Sequence, residues 1–237
     1  MNARGVLHTL AQVATDTDIR RRWLLRARHR IVPGDNLFQP SNDTEPDRYP
    51  AAFAYVRDQL GNGEDLRILS FGCSTGDEIF SLRRYFPSAW LKGIDISRGN
   101  VADCEKRRRA ASDDRMAFAV AGSTAGEPTA HYDAIFAMAV FRHGDLSGSD
   151  AQSCRHRITF SAFESTVADL ARCLRPGGFL AVEFSNFRFC DTEVAGQFEC
   201  VLQVPKAPYH PQVPLFGRDD RRLDIAGYDD VVFRKHD

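Results

Sequence analysis

The chain has 237 residues, of which 43% are hydrophobic, 27% charged and 11% aromatic, with a formal net charge of -1. That arithmetic fits one globular domain of α/β size with a real core, and it excludes intrinsic disorder, collagen-like repeats and coiled coil. No apolar run approaches the ~20 residues of a membrane-spanning helix, and near-zero net charge neither requires nor forbids a nucleic-acid partner.

In chain order, residues 1–14 carry no signal-peptide cleavage pattern, so a retained, cytoplasmic protein is expected. Thr15 followed by Asp18 reads as a capping box opening a helix to Ile31, with Ile19, Trp23, Ala27 and Ile31 on one face and six arginines around it. This is either a solvated Arg face on a packed helix or an anchor for an anionic substrate or RNA. Pro33-Gly34 ends it, residues 35–50 are polar and Pro-rich, and a second helix over 51–60 stops at Gly61-Asn62-Gly63. Residues 1–60 therefore read as a helical N-terminal extension before a main domain over 61–237.

Strand-like runs follow at 66–71, 90–96, 116–120, 132–140 and 179–184, separated by helical stretches at 78–85, 99–111 and 160–174. Strands alternating with helices predict parallel strands with crossovers, hence a doubly wound, Rossmann-like α/β sheet. Two late strands near 199–204 and 229–234 predict an antiparallel hairpin at one edge. The six cysteines, at 73, 104, 154, 173, 190 and 200, form no CxxC or Cys/His cluster, which argues against a disulfide framework and a zinc site; no metal is expected.

Ligands of such sheets bind beyond the carboxyl ends of the strands, so the first strand-to-helix turn is the place to look. It reads Gly72-Cys73-Ser74-Thr75-Gly76-Asp77-Glu78. Gly72 and Gly76 permit a sharp turn against which a ligand can lie, and the following helix offers free N–H groups. The spacing is not the G-x-G-x-x-G of nicotinamide enzymes, nor is there a P-loop lysine. The second strand ends at Asp95-Ile96, where a carboxylate about 20 residues past the turn suits a ribose diol. A helix end, tight turn and strand start are read at Leu174-Arg175-Pro176-Gly177-Gly178.

Together these features resemble the class I S-adenosylmethionine-dependent methyltransferases over residues 66–237. Within that superfamily the glycine turn is similar to that of the CheR-type glutamate methyltransferases, Gly-Cys-Ser-Thr-Gly-Glu-Glu, with Asp77 replacing one Glu. The same likeness extends upstream to Asn42-Asp43-Thr44-Glu45-Pro46-Asp47-Arg48, which has the spacing of a segment that closes over the cofactor. The resemblance implies that Asn42, Thr44 and Arg48 reach the cofactor alongside Gly72, Cys73, Ser74, Thr75, Gly76, Glu78, Asp95 and Ile96. On the acceptor side it fails. Residues 133–140 lack the Arg-Asn pair of the chemoreceptor enzymes, there is no Asn/Asp-Pro-Pro-Tyr segment, and no receptor-gripping subdomain fits between the late strands, so no chemotaxis role is expected.

A sulfonium methyl is already activated, so the acceptor must chiefly be aligned, with a base helping if it loses a proton. His143, just past the fourth strand, is the candidate base, tuned by Arg142 or Asp145; a loop or capping histidine is the alternative. In the segment 185–191 Asn186 and Arg188 are candidate orienting donors, with Phe187 and Phe189 either walling a pocket or entering the core. Residues 204–216 could form a lid or a plain connection, and Lys106-Arg107-Arg108-Arg109 reads as a solvated face. The expected activity is methyl transfer from S-adenosylmethionine to O or N of a small metabolite. The alternatives are an RNA or protein methyltransferase anchored by the Arg-rich helix, or a non-catalytic cofactor-binding module.

Overall fold

A computed structural model describes residues 37–39, 42, 44–205, 213–225 and 227–237. The Arg-rich helix and the middle of the 204–216 segment lie outside the described residues. The elements are α1 (Pro50–Leu60), β1 (Arg67–Phe71), α2 (Asp77–Tyr85), β2 (Trp90–Asp95), α3 (Arg98–Ala111), β3 (Met116–Val120), β4 (Tyr132–Met138), α4 (Phe160–Cys173), β5 (Leu174–Glu183), β6 (Phe198–Gln203) and β7 (Asp230–Lys235). They form one seven-stranded sheet in the order β3-β2-β1-β4-β5-β7-β6. The first five strands are mutually parallel. β7 runs antiparallel between β5 and β6. This is the doubly wound sheet with an antiparallel edge that the strand and helix pattern predicts.

Local chemistry sets the element ends. Pro50 opens α1 at a position where a missing N–H costs nothing, and Gly61 closes it in a left-handed conformation, φ +72°. Ser97 and Thr159 cap α3 and α4 by accepting from Asn100 N and Ala162 N. Period-two alternation in the central strands then feeds two cores: Leu69, Ile135 and Ala137 pack with Phe141 and Phe163 on one face, whereas Ile68, Ala134 and Phe136 pack with Phe53, Ile79 and Leu82 on the other. α1 thus shares the core of the sheet through Ala52, Phe53 and Val56, with Phe53 edge-on to Phe136 at 5.3 Å.

One expectation shifts. β5 begins at Leu174, five residues before Phe179, and the Arg175–Gly178 stretch is an irregularity within the strand, not a turn ahead of it. Its pairing with β4 jumps from Tyr132↔Leu174 to Ala134↔Phe179, because Pro176 has no N–H to donate and Gly177, at φ +73°, leaves the ladder.

The order of strands reverses between β1 and β4, so their carboxyl ends diverge and leave a crevice there.

Candidate functional site

A cavity of about 270 Å³ opens at that crevice. Its floor is the turn after β1. Gly72 N and Cys73 N both donate to Ile94 O, at 2.8 and 3.0 Å, which folds the turn flat over the end of β2. Gly72 sits at φ +74°, and a Cβ there would stand 2.6 Å from Val140 Cγ2, so no other residue fits without moving Val140, two residues past β4. Gly76, at φ +100°, is the N-cap of α2, whose first turn carries Asp77 and Glu78.

Asp95, at the end of β2, is buried and lines the cavity. Its Oδ2 accepts from Ser74 N at 2.9 Å, and its Oδ1 from Ser97 N at 2.8 Å and Asn100 Nδ2 at 3.0 Å. The carboxylate therefore ties the glycine turn to the start of α3. Asn100 in turn exchanges two amide hydrogen bonds with Asn42, 3.0 and 3.2 Å, so residue 42 is held over the cavity rim. A second latch lies at Asp47: its N–H donates to Ser81 Oγ on α2 and its carboxylate accepts from Tyr85 OH. Between these two ties Thr44, Arg48 and Tyr49 form one wall.

Glu78 and Arg48 add further charge to the lining. Glu78 accepts from Ser70 Oγ at 2.7 Å, and burial pushes its carboxyl up to about 8 from 4.5, an effect that Ser70 and the Arg48 guanidinium oppose. The Arg48 guanidinium lies 5.5 Å from the Tyr49 ring centre and 5.9 Å from that of Phe184. Burial likewise pushes the Tyr49 phenol up.

Of the expected cofactor residues, Asn42, Thr44, Arg48, Gly72, Cys73, Ser74, Glu78, Asp95 and Ile96 line the cavity. Thr75 and Gly76 are not among the lining residues: Thr75 offers its carbonyl to Arg107 at 2.6 Å, and Gly76 caps α2. Arg107 also pairs with Asp77 at 2.9 Å and covers the Phe80 ring, so the basic run on α3 has two half-buried members, Arg107 and Arg108, while Lys106 and Arg109 stay exposed.

Past the end of β4, Arg142 and Gly144 reach the wall, and His143 between them is buried away from it. His143 Nδ1 accepts from Asp145 N at 3.3 Å. Asn186 is a bracket: it takes His143 N at 2.8 Å, gives to Pro214 O at 2.7 Å, and ties residues 141 and 216 through its own backbone. Arg188 closes a two-point pair on Asp191, at 2.7 and 2.8 Å, outside the cavity lining. Phe187 stacks on Phe163 and Phe189 on Phe233, so of the two readings of those aromatics the structure has core. Tyr49, Asn100 and Phe38 are lining residues that the sequence reading missed. Asn100 was findable, since an N-cap at Ser97 aims the first turn of α3 back at Asp95; nothing local marks Tyr49 or Phe38.

Among the described residues no group of three or more His, Cys, Asp or Glu is placed to hold a metal, and no helix is long and apolar enough to cross a membrane.

Residues 69–180 match a family model described as a methyltransferase domain. No match is found among curated proteins. Among solved structures, the chain is similar to a geranyl diphosphate C-methyltransferase from Streptomyces coelicolor, in complex with Mg2+, geranyl diphosphate and S-adenosyl-L-homocysteine, at 17% identity, 56% coverage of this chain, 45% of that one and a TM-score of 0.42. It is also similar to a phosphoethanolamine N-methyltransferase from Haemonchus contortus in complex with S-adenosyl-L-methionine, at 18% identity, 60% and 29% coverage and a TM-score of 0.41. The chain spans less than half the length of either.

Proposed function

We infer, from the match of residues 69–180 to a methyltransferase domain, that the chain is a class I, S-adenosylmethionine-dependent methyltransferase, that the cavity binds S-adenosylmethionine and that the methyl acceptor is a small molecule. The observation that carries the reading is the cavity's lining, which holds groups that match a ribose and groups that match a zwitterion. Asp95 and Asn100 supply polar groups beside the apolar Ile96 and Ala121, as a nucleoside requires. Glu78 and Arg48, also on the lining, present one carboxyl and one guanidinium, the complement of an amino acid's ammonium and carboxylate.

When bound, S-adenosylmethionine supplies an activated methyl, so the chain's own residues have to hold, orient and exclude water. In this reading Asp95 accepts from the ribose diol, Glu78 takes the α-ammonium, Arg48 takes the carboxylate, and Asn42 and Thr44 close the rim. Arg142 faces the acceptor. His143, Asn186 and Arg188 act at one remove, by setting the loops after β4 and β5. The cavity's size and the absence of net basic charge favour a small acceptor over RNA or protein.

The test is methyl-labelled S-adenosylmethionine incubated with the full chain and a cell extract, followed by separation into protein, nucleic-acid and small-molecule fractions. Label in the small-molecule fraction above a no-enzyme control is expected. Label confined to protein or nucleic acid overturns the acceptor class, and no label despite verified cofactor binding overturns the enzyme reading in favour of a binding module.

A further inference from the structure

Two consecutive carbonyls of the glycine turn are held from α3. Ser74 O accepts from Cys104 Sγ at 3.3 Å, and Thr75 O from Arg107 Nη1 at 2.6 Å. Residues 104 and 107 share one face of the helix at i, i+3 spacing, so their side chains meet the turn together. The turn's amides go elsewhere: Gly72 N and Cys73 N to Ile94 O, Ser74 N to Asp95 Oδ2, and Gly76 N back to Cys73 O. The end of β2 therefore fixes one side of the turn and α3 the other. The approach is close, for a Cβ on Gly76 would stand 3.0 Å from both Cys104 Sγ and Phe80 Cε2.

Arg107 does more than satisfy a carbonyl. The same Nη1 donates to Asp77 Oδ1 at 2.9 Å, and the guanidinium lies 4.3 Å from the Phe80 ring centre. Asp77 and Phe80 both belong to α2, so one cation ties the end of the turn to the first turn of that helix. Asp77 is followed by Glu78, whose carboxyl lines the cavity, whereas Arg107 is not a lining residue. A solvated member of a basic run would spend its donors on water, but this one is half-buried with its charge on the backbone of the cavity floor.

We propose that Arg107 is a positioning residue for the amino-acid part of the cofactor: it fixes residues 75–78, and through them Glu78, without touching the ligand. The proposal rests on the reading above that Glu78 takes the α-ammonium. Both bonds leave from one nitrogen, so a lysine ammonium, with three donors, can replace them, whereas a methionine keeps an apolar stem over Phe80 and loses both.

The test compares S-adenosylhomocysteine with methylthioadenosine, which keeps the nucleoside and lacks the amino acid, by calorimetric titration of the full chain. Neither ligand has a net charge, so loss of a cation alone does not separate them. Arg107→Met should weaken S-adenosylhomocysteine about tenfold and leave methylthioadenosine within about threefold, and Arg107→Lys should recover most of the loss. Equal weakening of both ligands marks a merely structural role and overturns the proposal. So does unchanged S-adenosylhomocysteine binding in Arg107→Met, or a lysine variant no better than the methionine one. Should methylthioadenosine bind the unmodified chain too weakly to measure, the lysine comparison decides. If Arg107→Met does not fold, Asp77→Asn, which removes the opposite charge, should show the same selective loss at about threefold, and no loss there overturns the proposal. An unmodified chain that binds neither ligand overturns the cofactor reading and the proposal with it, whereas binding indifferent to Arg107 overturns the proposal alone.

Discussion

Residue chemistry at the cavity yields the sharpest tests. Glu78 holds its proton to about 8 in the folded chain against 4.5 ordinarily. Its contribution to stability is thus present below pH 4.5 and lost as pH rises toward 8, and Glu78→Gln should flatten that part of a melting-temperature profile. An ammonium seated beside it favours the ionised carboxylate, so cofactor binding near pH 7 should release about one proton, seen by calorimetry in buffers of different ionisation enthalpy. No release, or an undiminished release in Glu78→Gln, would remove the ammonium assignment. Asp95 is anchored by three protein N–H donors, so Asp95→Asn disturbs both the ribose contact and the glycine turn, and cofactor affinity should fall by about 1 to 3 kcal/mol. Unchanged affinity in a folded variant would sink the ribose role. For His143 the geometry argues against a base: the lone pair of a neutral imidazole that accepts at Nδ1 is already engaged by Asp145 N, leaving the proton on Nε2. His143→Ala is therefore expected to cost turnover well under the ~10²-fold of a lost base, whereas a larger loss with intact cofactor affinity would restore that role.

Among the elements, the turn after β4 and the loop after β5 behave as one unit because Asn186 bonds to both. Its two buried side-chain bonds, to His143 N and Pro214 O, leave an orphan donor and acceptor when removed. Asn186→Ala should lower unfolding free energy by about 2 kcal/mol in denaturant titration. A neutral effect would mean that the bracket carries no energy. The glycine turn is the converse case, legible from residue type alone. Gly72 and Gly76 were singled out for their backbone freedom, and both adopt positive φ. The Pro-Gly-Gly segment was legible as irregular but was read as a turn, since sequence shows the missing donor and the permissive φ but not whether a neighbouring strand absorbs them as a bulge.

For the molecule as a whole, balanced charge predicts little retention of RNA on a filter at low salt, and a steeply salt-dependent binding would revive the RNA-anchor reading. The alternation of strand and helix, the glycines of the first turn and the acid closing β2 were readable without coordinates, because each follows from nearest-neighbour stereochemistry and the period of apolar residues. So the sequence by itself determined the sheet, its antiparallel edge and several of the residues that line the cavity. Only the tertiary structure decided that α1 shares the core with Tyr49 beside it on the cavity wall, and that of the candidates Arg142, His143, Asn186 and Arg188 just the first lines the cavity. The physical reason is range. Residues 49, 142 and 183 lie far apart along the chain and are brought together by packing on the sheet, which no local spacing encodes.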